Sequence, residues 1–196
     1  IYTSDQGFYL GEHGWFDKRW MYEESFKMPL LMRLPNKISP GKISNDLVMN
    51  IDFAPTLIDF AGLSVPEEMQ GESFKDLFNS QNNYTPRDAV YYHYYEYPLW
   101  HKVQPHYGIR TNRYKLMHFY YSMDEWELYD LKNDPEEMNN IYNLSNDSLI
   151  QSLKAQLLNL QTEYGDNKPI SEMKLMTDTV IARSYKEPLF KKNKSK

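Results

Sequence analysis

The chain has 196 residues, enough for one domain or for part of a larger one, and its 41% hydrophobic and 25% charged residues are the balance of a soluble globular protein. A net charge of −5 gives no footing for a nucleic-acid binder, and the absence of cysteine excludes disulfides and thiolate chemistry. No apolar run approaches the length of a membrane span, and no positively charged start leads into an apolar core as in a secretion signal.

Ile1 to Thr3 read as the end of a strand, followed by a long Gly-rich, charged loop over residues 4 to 27 that contains SDQGFYLGEHGWFDK. Strand ends followed by such turns are where α/β folds place their sites. Asp5 offers a carboxylate and Gln6 an amide oxygen, hard donors suited to calcium or magnesium and poorly suited to zinc. Calcium takes roughly six to eight oxygens, so these two residues are either part of a larger ligand set or a solvated turn. Gly7 and Gly11 let the backbone turn sharply or approach a ligand closely. His13 can donate, accept or shuttle a proton near neutral pH. Lys18 supplies a compact positive charge for an anionic group beside a cation; composition alone favours a surface pairing with Glu23 or Glu24 instead.

MPLLMRLP, at 28 to 35, reads as a buried strand, NKISPGK as a turn, and DLVMNI, at 46 to 51, as another strand. Asp52 is the expected N-cap of a helix with Pro55 in its first turn, Leu57, Ile58 and Ala61 on one side, and Gly62 as its stop. Strand, helix, strand, helix predicts an α/β layered fold for residues 1–80. QNNYTPR, at 81 to 87, reads as a linker.

Beyond it, AVYYHYYEY, HYGIRTNRYKLMHFYY and EWELYDL are aromatic runs with short gaps, which predict an antiparallel sheet. The 17 tyrosines can cover a sheet while keeping hydroxyls for water or a sugar. KNDPEEMNN is turn chemistry. SLIQSLKAQLLNLQTEYG carries Leu149, Leu153, Leu157 and Leu160 at helical spacing, with Leu158 widening the stripe and Gly165 closing it, and predicts a helix packed across the sheet. Residues 88–165 thus form a smaller α+β subdomain, and residues 166–196 read as a polar tail whose basic end, FKKNKSK, is a solvated, frayed terminus.

TSDQGFYLGEHGWFDKRWMYEES resembles the C-terminal active-site segment of the formylglycine-dependent sulfatases, in the alkaline-phosphatase-like superfamily. NIDFAPTLIDFAGLSVPEEMQGESF resembles the next signature of that family: an aspartate and a Pro-Thr helix, then a Gly, a Val-Pro and a final Gly-x-Ser. YYEYPLWHKVQPHYGIRTNRYKLMHFY and ELYDLKNDPEEMNNIYN are similar to the C-terminal subdomain of bacterial members, so the resemblance runs from residue 1 to about 164. It implies the C-terminal part of an alkaline-phosphatase-like α/β sandwich, followed by the smaller α+β subdomain. By position it implies Asp5 and Gln6 as calcium ligands, although many members carry Asn or His at Gln6, and Lys18 as a sulfate contact. His13 is implied to touch substrate or sulfate, with a structural role in the loop as the alternative. EYPLWHKVQPHYG resembles N-acetylglucosamine-6-sulfatases and related heparan-type sulfatases more than short aryl-sulfatases. That implies a sulfated glucosamine-type sugar as partner, with His101 and His106 as contacts; satisfied sheet histidines, His93 included, are the other reading.

The implied chemistry is sulfate-ester hydrolysis by a formylglycine made from Cys or Ser in a C/S-x-P-x-R motif, with calcium and cationic side chains stabilising charge on the sulfate oxygens. The chain holds no such motif and lacks the paired aspartates expected near the N-terminus of the family. The expectation is therefore a chain that starts mid-domain, inactive alone, whose partner is an N-terminal part carrying the nucleophile. A periplasmic or secreted location is implied by the family. Two competing readings are a phosphatase or phosphodiesterase of the same superfamily, which would recruit two zinc ions, and a non-catalytic glycan-binding module built on the tyrosine-rich sheet.

Overall fold

The computed structural model describes residues 1–78, 84–98 and 101–186. Part of the expected linker, residues 81–83, and the basic end of the tail lie outside them. The class is α/β, and two stretches of different texture follow one another. The first holds β1 (Tyr2–Thr3), β2 (Tyr9–Leu10), β3 (Phe16–Asp17), the one-turn helix α1 (Glu23–Phe26), β4 (Leu30–Leu31) and α2 (Phe53–Phe60). β1 pairs antiparallel with β4, and β2 with β3.

Three local expectations are corrected here. The strand predicted over 28–35 shrinks to Leu30–Leu31, and residues 46–51 form no strand; they run into a 3-10 turn at Asn50–Asp52. Asp52 does not cap α2 with its side chain. Its buried carboxylate accepts from the backbone N–H groups of Met49 (2.7 Å) and Glu72 (2.9 Å) and takes the Arg87 guanidinium at 2.7 and 3.0 Å. Such a fork ties the loop before α2, the loop after it and the entry to the second region to one carboxylate. Consequently α2 turns Pro55 and Thr56 inward and leaves Leu57 exposed.

The second stretch is a four-stranded antiparallel meander, β5 (Ala89–Tyr94), β6 (His106–Thr111), β7 (Tyr114–Phe119) and β8 (Glu125–Asp130), in chain order. Then comes α3 (Asp147–Glu163), capped by Asn146 Oδ1 accepting from the Leu149 N–H at 2.8 Å. The expected polar tail contains a helix, α4 (Ile170–Lys186), which buries Met173 and Thr177. Two inward residues one turn apart are too short an apolar signature to read against a polar background. Leu158, expected to widen the α3 stripe, is exposed.

Because successive strand residues face opposite ways, the sheet has two distinct faces, and both are covered. On one, Tyr107, Ile109, Leu116 and Leu128 pack with Ile150, Leu153 and Leu157 of α3 and Met173 of α4. On the other, Tyr92, Met117, Phe119 and Tyr129 receive Tyr9, Trp20, Met21, Tyr22 and Phe26 from the opening loop. Gly108 makes that docking possible: a Cβ there would stand 2.6 Å from the Met21 sulfur and 2.4 Å from the Leu116 carbonyl oxygen.

The loop is also held by charge. Lys115, fully buried on β7, lies 2.9 Å from Glu23 and 2.7 Å from Glu137, and Arg110 reaches Glu23 at 3.2 Å. Burial would raise the Glu23 carboxyl, but Lys115 and Arg110 outweigh it and hold the group at about 2. The sheet tyrosines are engaged internally rather than offered to solvent. Tyr92 donates to the Arg19 carbonyl at 2.8 Å, and Tyr91 donates to Asp166 at 2.7 Å. Tyr107 pairs with His118 Nδ1 at 2.9 Å.

Candidate active site in the opening loop

The chain leaves β1 and turns at once, with Ser4 Oγ donating to the Gln6 carbonyl at 2.8 Å. Gly7 then passes so close to α1 that a Cβ would lie 1.9 Å from the Glu24 carbonyl oxygen, and its N–H donates to the Ser25 carbonyl at 2.8 Å. Only glycine permits that approach. Asp5 and Gln6 are thereby placed side by side at the mouth of the loop, where they help to line a cleft of about 1050 Å³.

Lys18 crosses back from just beyond β3 and donates from Nζ to Asp5 Oδ2. The surface pairing of Lys18 with Glu23 or Glu24 does not occur: Glu23 belongs to Lys115 and Arg110, and Glu24 faces His13. The hydrogen bond from Lys18 and its positive charge hold the exposed Asp5 carboxyl below its ordinary value. Gln6 donates from Nε2 to the buried Ser25 Oγ at 2.9 Å, which leaves its Oε1 as the end turned from α1. Asn50 Nδ2 donates to the Asp5 carbonyl at 3.3 Å. Among the described residues no group of three or more His, Cys, Asp or Glu side chains converges to hold a metal ion. The pair nonetheless fits part of a hard-cation site, with one carboxylate and one anchored amide, both oxygen donors.

Lys18 also lines a second, smaller cleft of about 340 Å³ with Trp15, Asp17, Arg19 and His101. His101 is brought in from the far side of the chain. Its Nδ1 lies 2.9 Å from Asp17 Oδ2 and its Nε2 lies 2.8 Å from Arg19 NH2, so the ring donates through Nδ1 and accepts at Nε2. Asp17 and Lys102, both lining this cleft, have positive φ values of 79° and 52°, conformations that side chains other than glycine rarely adopt. Asp17 and Arg19 carry no motif of their own; the signal available in the sequence was their position on either side of Lys18.

The other two histidines are placed elsewhere. His13 also has positive φ, stacks on Tyr22 with ring centroids 4.5 Å apart, and points Nε2 at Glu24 at 3.4 Å. That geometry packs His13 against the loop's own residues. His106 is a correction: it is wholly buried among Trp20, Tyr94 and Phe119, with Nδ1 donating to the Gln104 carbonyl at 2.7 Å. Burial pushes its imidazole down to about 4. His93 is likewise interior, between Asp166 at 2.7 Å and the Tyr120 hydroxyl at 3.0 Å.

The chain is 54% identical over 173 residues to an N-acetylglucosamine-6-O-sulfatase of Bacteroides thetaiotaomicron, covering 86% of this chain and 31% of that protein. A solved structure of a protein in complex with its substrate D-glucosamine-2-N,6-O-disulfate matches with a TM-score of 0.81 at 52% identity, over 86% of this chain and 35% of that one. A 2-O glycosaminoglycan sulfatase matches with a TM-score of 0.66 at 26% identity, over 88% of this chain and 36% of that one. The chain thus spans about a third of the length of these relatives, and its fold is theirs. A family model described as N-sulphoglucosamine sulphohydrolase, C-terminal, matches residues 11–163, and the chain belongs to that sulfatase family.

Proposed function

We propose that this chain supplies part of the metal- and sulfate-binding wall of a sulfatase that hydrolyses sulfate esters on a glucosamine-type sugar. The observation that carries this is the contact between Lys18 and Asp5 with Gln6 alongside. A compact cation beside two hard oxygen donors suits an anionic group bound at a divalent ion. Asp5 and Gln6 would hold calcium, or magnesium in its place, which when bound supplies positive charge to the sulfate oxygens. Lys18 has three N–H donors, one spent on Asp5, and turns the others toward sulfate.

In the adjoining cleft His101, Asp17 and Arg19 provide a donor and acceptor set for sugar hydroxyls, and Trp15 adds an apolar ring face. His13 keeps the loop in shape from behind, through Tyr22 and Glu24. The glucosamine assignment is supported by the names of the relatives given above. The formylglycine nucleophile is assigned to an N-terminal part of the same protein, since this chain holds neither a cysteine nor a Ser-x-Pro-x-Arg; alone it is inactive under this reading. A periplasmic or secreted protein follows from the family; in the structure, no helix among the described residues is long and apolar enough to cross a membrane.

The test is Lys18→Ala in the intact protein, assayed on glucosamine 6-sulfate. Turnover is expected to fall roughly 10²- to 10³-fold, the effect of removing one charge-stabilising donor, while the thermal midpoint stays in place. Wild-type turnover would take Lys18 out of the site. Hydrolysis of phosphate esters without sulfate esters would transfer the chain to the phosphatase reading.

A further inference from the structure

We infer that Ser25 is a positioning residue that anchors the Gln6 amide so that its oxygen is held toward the metal, an inference that rests on the sulfatase reading above. An amide side chain has nearly the same shape either way round, yet only its oxygen can bind a cation; its NH2 end repels one. With the oxygen on the cation, the nitrogen is the end left for a protein acceptor to hold. Ser25 Oγ is that acceptor, at 2.9 Å from Gln6 Nε2, and Ser25 is wholly buried.

The anchor is itself fixed. Gly7 N–H donates to the Ser25 carbonyl at 2.8 Å, so the backbone next to Gln6 is attached to α1 at the same residue that holds its side chain. At its start α1 is fastened to the sheet, with the Glu23 N–H donating to Glu137 Oε2 at 2.6 Å and the Glu23 carboxylate held by Arg110 and Lys115. A continuous chain of contacts thus runs from β6 and β7 through Glu23 and Ser25 to Gln6. Outer partners of this type orient ligands and tune affinity without touching the ion.

Calcium chloride titrated calorimetrically into the intact protein tests the assignment. Ser25→Ala is expected to weaken calcium binding about tenfold or more. In a Gln6→Ala background, where there is no amide to hold, Ser25→Ala should produce no further change. Ser25→Cys, which keeps the volume but is a weak acceptor, reads the same titration if the alanine variant does not fold. An unchanged dissociation constant in Ser25→Ala overturns the inference, as does an equal loss in the Gln6→Ala background, which would mark a general structural role. Failure of the wild type to bind calcium, or of Gln6→Ala to weaken it, overturns the metal assignment itself and the role of Ser25 with it.

Discussion

The two faces of the sheet are built by different physics. Under α3 and α4 lies an ordinary apolar seam, in which Ile109, Leu116 and Leu128 meet Ile150, Leu153 and Leu157. Under the opening loop lie aromatic rings, a buried histidine and a buried lysine between two carboxylates. The first face needs only volume and hydrophobicity, which many sequences provide. The second holds a loop with little regular structure, and non-directional packing would let such a loop slide. Charge pairs and hydroxyl-to-carbonyl bonds have direction, so they fix the register of Lys18, Arg19 and Glu23 on the strands beneath. One face makes the domain stable; the other makes it stable and also aims the site.

The largest effect separating them is expected from Lys115→Ala. Glu137 then loses its cation while buried, and breaking such a pair costs about 3–5 kcal/mol. Because Glu23 loosens as well, calcium affinity and turnover should fall with stability. Leu157→Ala on the other face should cost about 3 kcal/mol by leaving a cavity. Its folded fraction should keep wild-type KM and calcium affinity. Chemical denaturation paired with calcium titration reads both, and a Leu157→Ala protein with weakened calcium binding would erase the distinction between the faces.

Acid should act next, with His106 as the share that belongs to the loop face. His106 is neutral in the fold, with its pKa pushed to about 4, whereas the unfolded chain titrates near 6.5. Between those values the unfolded state binds the extra proton, so this stabilisation is complete above pH 6.5 and declines as pH falls toward 4. The loss between pH 7 and pH 5 is on the order of 2 kcal/mol. His93 and His118, both also pushed down by burial, have the same sign. Comparing denaturation at pH 7 and pH 5 for wild type and His106→Phe isolates the share of His106: the variant should show the shallower fall.

The helix face was largely legible in advance. The aromatic runs became β5 to β8, and the leucine spacing at 149, 153, 157 and 160 became α3, because periodicity reports one-sided burial directly. α4 was missed because its inward signal is two residues. The apolar run at 46–51 was misread because a strand needs a neighbour, and none of the described strands pairs with it. Of the site, residue type offered Asp5 and Gln6 only as hard oxygen donors and Lys18 as a surface pairing partner; the family resemblance singled out the three within one loop. The contact of Lys18 with Asp5 depends on a loop closing over 13 positions, and the arrival of His101 at Arg19 on tertiary closure over 82. Lys115 could not be foreseen, since a lysine in a strand pattern is ordinarily placed outward. The burial of His106 was not legible because a histidine among aromatics looks the same in sequence whether it meets a sugar or a tryptophan.

The finest comparison needs only two hydroxyls on one strand. Tyr91 and Tyr92 are adjacent on β5 and point to opposite faces; Tyr91 donates to Asp166 behind the sheet, and Tyr92 donates to the Arg19 carbonyl beneath the site. Each Tyr→Phe change removes the hydroxyl's hydrogen bonding, which for Tyr91 includes His93 Nδ1 at 3.3 Å, and should cost about 1 kcal/mol of stability. Equal cost does not mean equal consequence. Without the Tyr92 hydroxyl the backbone between Lys18 and Trp20 loses a tether, so turnover on glucosamine 6-sulfate should fall several-fold in Tyr92→Phe and stay at the wild-type level in Tyr91→Phe. If both variants lose stability alike and both keep full activity, packing by Trp20, Met21 and Tyr22 suffices to hold the loop, and directionality on this face adds stability alone.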